Sequence, residues 1–265
     1  MRLDKLLVEK GFYPSREKAQ FEILQKCVLV DGVVVDKPSK NISETATITI
    51  RDQFNRYVSR GGLKLEKGIA DFNLDFVGKK VLDIGASTGG FTDCALQHGA
   101  SFVCGVDVGD QQLDPSLKEH PQVQSIENCD FRELDPNQVA HLPFDWVVSD
   151  LSFISLTYIL GSIAPFIHPQ SELLLLIKPQ FEVGPKLLNK SGILSDSKGY
   201  KIAIERVVQK AERHHYFLHG LSISTLWEKH KNVEFLAHFK QQKSNFTVDF
   251  GSLLAEIKTL RSKLK

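Results

Sequence analysis

Leu3, Leu6 and Leu7 recur at helical spacing up to Gly11, and Ser15 stands at the head of a second helical stretch, Arg16 to Lys26, with Glu17 placed to favour its positive start. Two short helices are therefore expected first. The pattern then changes to Val28-Leu29-Val30, Asp31-Gly32 and Val33-Val34-Val35, a hairpin signal, because Asp-Gly tolerates the positive φ that a tight turn demands. Thr45 to Ile50 supplies a third strand. From Lys79 onward, β-rich runs near residues 81, 102, 122, 145, 172, 218 and 233 alternate with helical stretches, the clearest being Ser197 to His214. That order argues for a mainly parallel seven-stranded sheet with helices on both faces. The closing stretch, Phe250 to Leu264, places Leu253, Ile257 and Leu260 among lysines and reads as a surface helix.

The predicted organisation is a small α+β domain over 1–55, a basic linker over 56–67 around Gly61-Gly62, an α/β domain over 68–245 and a helical tail over 246–265. At 265 residues, 42% hydrophobic, the chain can bury a full core plus a small module. A net charge of +1 leaves any nucleic-acid footprint to local clustering. Cys27, Cys94, Cys104 and Cys129 lack CxxC spacing and read as reduced, buried thiols. The first residues lack the apolar run of a signal peptide, and Leu173 to Ile177, the longest such run, is strand-sized. A cytoplasmic location is the expectation.

The anchor for function is the first strand of the α/β domain and the turn that follows it. Val81-Leu82-Asp83-Ile84 runs into Gly85-Ala86-Ser87-Thr88-Gly89-Gly90-Phe91, a strand ending in small residues that open a helix. This differs from the dinucleotide fingerprint, in which a second glycine admits a pyrophosphate, and suits a nucleoside without one. Asp107 closes the second strand, about twenty residues after the turn, where an acid accepts hydrogen bonds from ribose hydroxyls. Asp130 and Phe131 follow the third strand and would define an adenine slot. In this order the signals point to S-adenosylmethionine, held by the turn from Asp83 to Phe91 and by Asp107, Asp130 and Phe131.

Lys64, Asp150, Lys178 and Glu234 fall where such a fold brings strand ends and loops together over the donor. Methylation of an alcohol needs a base beside the hydroxyl and a fixed line to the methyl group. Lys178 follows the most apolar strand and is the expected proton acceptor; Asp150, at the end of Trp146 to Ser149, and Glu234 would pair with the lysines and orient them. No metal is required.

Ser59-Arg60-Gly61-Gly62-Leu63-Lys64-Leu65, Asp83 to Phe91, Ser149-Asp150-Leu151-Ser152-Phe153, Lys178-Pro179-Gln180-Phe181-Glu182-Val183-Gly184 and Asn232-Val233-Glu234-Phe235 together resemble the TlyA family, within the FtsJ-like group. Its members carry both the name haemolysin A and that of ribosomal RNA 2'-O-methyltransferase. The resemblance implies a Lys-Asp-Lys-Glu tetrad on Lys64, Asp150, Lys178 and Glu234, S-adenosylmethionine as donor, and an S-four-type RNA-binding domain over 1–55. Arg2, Arg16, Lys18 and Lys26 are its candidate phosphate contacts, with Arg56 and Arg60 in the linker. The chain departs from the pattern at Trp227 to Lys231, where relatives often have a Gly-rich turn, at Pro185, and at Tyr57 in place of tryptophan.

The reading is an S-adenosylmethionine-dependent methyltransferase acting on ribose of ribosomal RNA or ribosomal subunits. Two rivals belong to other classes. A membrane-active haemolysin would need an apolar span or long amphipathic face, which the sequence lacks. A non-catalytic RNA-binding assembly factor would have no need of an intact tetrad.

Overall fold

Leu3, Leu6 and Leu7 are buried along one side of α1 (Leu3–Glu9), against Ala19 and Ile23 of α2 (Arg16–Leu24) and Val28 and Val30 of β1 (Val28–Val30). In this computed structural model the residues described are 1–13, 15–24, 27–50, 56–194, 196–224 and 231–262, without the side chains of Glu17, Lys18, Phe21 and Ser262. The Asp-Gly hairpin forms as expected: Asp31 and Gly32 take φ of 51° and 79°, and β1 pairs antiparallel with β2 (Val33–Val34) and β3 (Ile48–Ile50). The third strand is shorter than Thr45 to Ile50. These elements lie in one compact unit, Met1–Arg56, with its own small core.

The second unit, Tyr57–Lys265, is built on a seven-stranded sheet. Its first helix, α3 (Gly61–Phe72), corrects the expected linker over 56–67. Gly61-Gly62 reads as flexible in sequence, yet the helix begins there because Leu65 and Gly68 are buried and small residues let it pack closely; a Cβ on Gly68 would come within 2.6 Å of Leu174. There follow β4 (Lys80–Ile84), α4 (Gly90–Gln97), β5 (Phe102–Val106), α5 (Pro115–Lys118), β6 (Val123–Ile126), β7 (Phe144–Ser149), β8 (Ile167–Ile177), α6 (Pro179–Glu182), α7 (Lys198–Arg213), β9 (Phe217–Ile223), β10 (Phe235–Lys240) and α8 (Phe250–Ser262).

The strand order is β6-β5-β4-β7-β8-β10-β9, parallel from β6 through β8, with β10 antiparallel to both its neighbours. Alternation along the apolar strands explains the layers. Leu82, Val147, Leu173, Leu175 and Phe235 face one side, with Ala203, Ile204 and Val207 of α7 and Ile257 of α8. Val81, Trp146, Val148, Leu174 and Leu236 face the other, with Leu65 of α3 and Phe91 and Cys94 of α4. Strands covered on both faces read as continuous apolar runs, as Leu173 to Ile177 does. Among the described residues the cysteines are free thiols, and only Cys129 is not fully buried. No helix there is long and apolar enough to cross a membrane.

Candidate active site

Every parallel strand ends at the same edge of the sheet, so topology alone collects the residues that follow them. Gly85 follows β4, Asp107 follows β5, Asp130 lies four residues past β6, Asp150 follows β7 and Lys178 follows β8. Glu234 reaches this edge by the opposite route. Because β10 runs antiparallel to β8, with Phe235 opposite Ile177, the start of β10 lies beside the end of β8. Lys64 comes from the second turn of α3.

These four side chains form a continuous line of ion pairs. Lys64 Nζ lies 2.9 Å from Glu234 Oε2 and 3.1 Å from Asp150 Oδ2, and Lys178 Nζ lies 2.6 Å from Asp150 Oδ1. Lys178 also donates to Ser152 Oγ at 2.7 Å and approaches the Asp150 carbonyl oxygen at 3.4 Å. All are withdrawn from solvent, Lys178 most completely at 8% exposure. Burial opposes a charge on Lys64, but the Asp150 and Glu234 carboxylates outweigh it and hold its pKa above the ordinary lysine value. Lys64 is therefore a fixed cation. With two lysines and two acids the line carries no net charge when all four are ionised.

The flanking segments are braced. Asn232 accepts from the Leu194 amide and donates to the Gly192 carbonyl, both at 2.8 Å, and the Val233 amide donates to Tyr200 Oη, which also receives Arg261 from α8. On the other side, the buried Glu182 carboxylate accepts from Ser155 Oγ and the Leu156 amide, fixing the loop after Asp150. Ser152, Glu182 and Tyr200 were not singled out as site residues from sequence. The available signal was a serine two positions beyond the strand-end acid and an acid within the Lys178 motif.

Two adjoining cavities open on this line. A larger one, about 550 Å³, is lined by Gly85, Ser87, Asp107, Asp130, Phe131, Phe153 and Asp150 among others. A smaller one, about 170 Å³, is lined by Gly85 to Thr88, Gly90 and Phe91, with Asp150, Ser152 and Lys178. The turn is a cradle of bare backbone. Gly85 has φ +84°, where a Cβ would lie 2.8 Å from Leu151, and a Cβ on Gly90 would meet Ser59 Oγ at 2.2 Å and the Gly62 amide nitrogen at 2.9 Å. Asp107 accepts the Ser87 and Gly109 amides at 2.8 and 2.7 Å, one on each oxygen, which leaves each with a free lone pair. A cavity of this size with carboxylate acceptors, an aromatic wall and an open glycine turn fits the nucleoside and amino-acid parts of S-adenosylmethionine.

Three expected donor residues stand differently. Asp83 and Gly89 line neither cavity. Gly89 takes φ +93° at the start of α4, where a Cβ would strike Leu113 and Leu117, so its role is in the turn itself. Asp83 is buried beneath the turn, accepting from Thr92 Oγ1 at 2.7 Å. Asp130 borders the larger cavity, but Arg132 forks its carboxylate through Nε and Nη2. In the small unit, Arg2 and Arg16 share the buried Asp4 carboxylate with Gln20, which holds the acid well below its usual range. Lys26 and the side chain of Lys18 lie outside the described residues, as does most of Trp227 to Lys231. Arg56 is exposed and Arg60 half-buried.

Burial pushes Asp83 up to about 7 against the opposing Thr92 hydrogen bond. The folded state then binds a proton that the unfolded chain releases above about pH 4, so stability falls as pH rises from about 4 to about 7. For one such group the loss is on the order of 4 kcal/mol. Urea unfolding at pH 5 and pH 8 should show about 3 kcal/mol of that loss, reduced in Asp83→Asn; an unchanged difference would place the titration elsewhere.

The FtsJ-like methyltransferase family matches residues 57–241, from the start of the second unit to just past its last strand. The chain belongs to this family. As a FtsJ-like methyltransferase it also carries, over residues 1–48, a match to the RNA-binding S4 domain. It is 40% identical over 237 residues to YqxC of Bacillus subtilis, assigned as an rRNA methyltransferase, covering 89% of this chain and 84% of that protein. It is 34% identical over 242 residues to the 16S/23S rRNA (cytidine-2'-O)-methyltransferase TlyA of Mycobacterium tuberculosis, covering 91% and 90%. The solved structure of a Streptococcus thermophilus protein assigned as a haemolysin superposes with a TM-score of 0.79 at 34% identity, covering 99% of this chain and 97% of that one. The expected fold and family are thus both met in this FtsJ-like protein.

Proposed function

We propose that the protein is an S-adenosylmethionine-dependent methyltransferase that modifies a ribose 2'-hydroxyl of ribosomal RNA, a reading that fits a cytoplasmic protein. The observation that supports it most is the Glu234-Lys64-Asp150-Lys178 line at the mouth of a glycine-lined cavity. Base methylation does not call for a shielded lysine between a carboxylate and a serine, whereas an alcohol must lose a proton as it attacks. The rRNA methyltransferase names of the relatives and the S4 match support the RNA substrate.

Gly85 to Thr88 and Gly90 would hold the amino-acid end of the donor, Asp107 its ribose and Phe131 its adenine, with Asp130, held by Arg132, at the edge of that slot. When bound, S-adenosylmethionine supplies an electrophilic methyl group on a sulfonium. Lys178 Nζ takes the proton of the attacking hydroxyl, positioned by Asp150 and Ser152. Lys64, fixed as a cation by its two carboxylates, keeps Asp150 ionised and in place. Proton loss from Lys178 leaves the line with a net charge of −1, which offsets the positive charge of the donor.

The test is transfer of labelled methyl from S-adenosylmethionine to purified ribosomal subunits, followed by nucleoside digestion. Label on a ribose 2'-oxygen is expected. Label on a base would keep the donor cavity and remove the role given to Lys178, and no label on any subunit would overturn the reading.

A further inference from the structure

Away from the donor cavities, the second half of α7 separates its charges by face. Arg206, Lys210 and Arg213 follow one another at spacings of four and three and share one side of the helix, while Glu205 and Glu212, seven apart, share another. The basic side walls a groove of about 310 Å³ together with Gln209 and with Thr157 and Tyr158, from the short helical turn after the Asp150 loop. Tyr158 is 60% exposed. Among the described residues no carboxylate lies within ion-pair distance of Arg206, Lys210 or Arg213; Arg206 spends one N–H, from Nη1, on the Glu182 carbonyl at 2.8 Å.

That contact also locates the groove. Glu182 lies four residues beyond Lys178, and its carboxylate holds Ser155 and Leu156, just ahead of Thr157 and Tyr158. Both walls are thus tied through Glu182 to the loop that follows Asp150 and to the segment that follows Lys178. From Arg206 to Arg213 the helix rises roughly 10 Å, so the three cations stand in a line along it.

We propose that this groove docks the RNA strand flanking the target ribose, its phosphates on Arg206, Lys210 and Arg213 and one base stacked on Tyr158. The inference rests on RNA being the substrate. Unpaired cations beside an exposed aromatic are the combination that single-stranded RNA uses, charge for the backbone and a ring for a base. A protein partner would leave Tyr158 and the cations without paired acids to meet, unless it brought an acidic face of its own.

Lys210→Gln/Arg213→Gln separates the outcomes, because both side chains lie outside the catalytic line and make no described contact that supports the fold. Filter binding of total ribosomal RNA between 50 and 200 mM salt should show about a tenfold weaker affinity and a log–log salt slope shallower by about 1.4, two phosphates' worth for a single strand. Donor affinity, unfolding midpoint and turnover at saturating RNA should stay at wild-type values. Tyr158→Ala should weaken binding without changing the slope, and Lys210→Arg/Arg213→Lys should restore both. Unchanged affinity and slope in the Gln variant, or in the single variant Lys210→Glu if the pair fails to fold, would overturn the groove. A wild-type protein that binds RNA with the full slope yet transfers no methyl would overturn the proposed function and leave the groove standing.

Discussion

Lys178→Ala is expected to lower methyl transfer to ribose by about 10²–10⁴-fold, the range for loss of a positioned base. Donor affinity should fall far less than the rate, because Lys178 is one wall of the smaller cavity while the glycine turn and Asp107 are untouched. The informative companion is Lys178→Arg. Arginine preserves the cation beside Asp150 but cannot give up its proton in a protein. If Lys178 serves only as a counter-charge, the arginine variant recovers activity; if it takes the hydroxyl proton, arginine is as inactive as alanine. Single-turnover rates with saturating donor and ribosomal subunits read the difference directly. Recovery in the arginine variant would sink the base assignment while leaving the tetrad's geometry intact.

Lys64→Met should cost both stability and activity. Lys64 is the one cation within ion-pair distance of Glu234 among the described residues, and it is shared with Asp150. Removing it leaves two adjacent, mostly buried carboxylates facing one lysine. A fully buried pair broken on one side costs about 3–5 kcal/mol. Glu234 and Asp150 keep 15% and 19% of their side-chain exposure, so water relieves part of that, and about 2–3 kcal/mol is expected. Thermal unfolding should fall by about 5–10 °C. Lys64→Met/Glu234→Gln, which also neutralises the stranded acid, should regain most of the stability and none of the activity. An unfolding midpoint that does not move in the single variant would show that the ion pairs are not formed in solution.

Much of this site was legible because its signals are local. A strand ending in Gly85-Ala86-Ser87, an acid at the next strand's end and the Asp-Gly hairpin each depend on a few neighbouring residues whose backbone needs are specific. What stayed hidden depends on packing. Gly61-Gly62 reads as a flexible pair, but against Tyr57 it is a close contact: a Cβ on Gly62 would lie 2.3 Å from the ring, so the glycines start α3 there. Asp130 looked like a free acceptor because its partner, Arg132, sits only two residues away in a loop whose turn cannot be read from spacing. The Arg206, Lys210 and Arg213 line was invisible among interleaved acids until the helix phase sorted them by side. Glu234 was expected over the donor with Lys178, but its route there was hidden, because nothing local reveals that β10 runs antiparallel and so starts beside the end of β8.

That antiparallel strand has a consequence for how the molecule comes into being. β10 is the last strand in the chain, yet it lies between β8 and β9, so the flank of Leu173 to Ile177 has no neighbour until residues 235–240 have been made. A ribosome extending the chain leaves that edge bare over the synthesis of some sixty residues. Closure of the sheet and arrival of Glu234 beside Lys64 are then one event. A chain that stops before residue 235 has neither the closed sheet nor the Glu234 carboxylate beside Lys64.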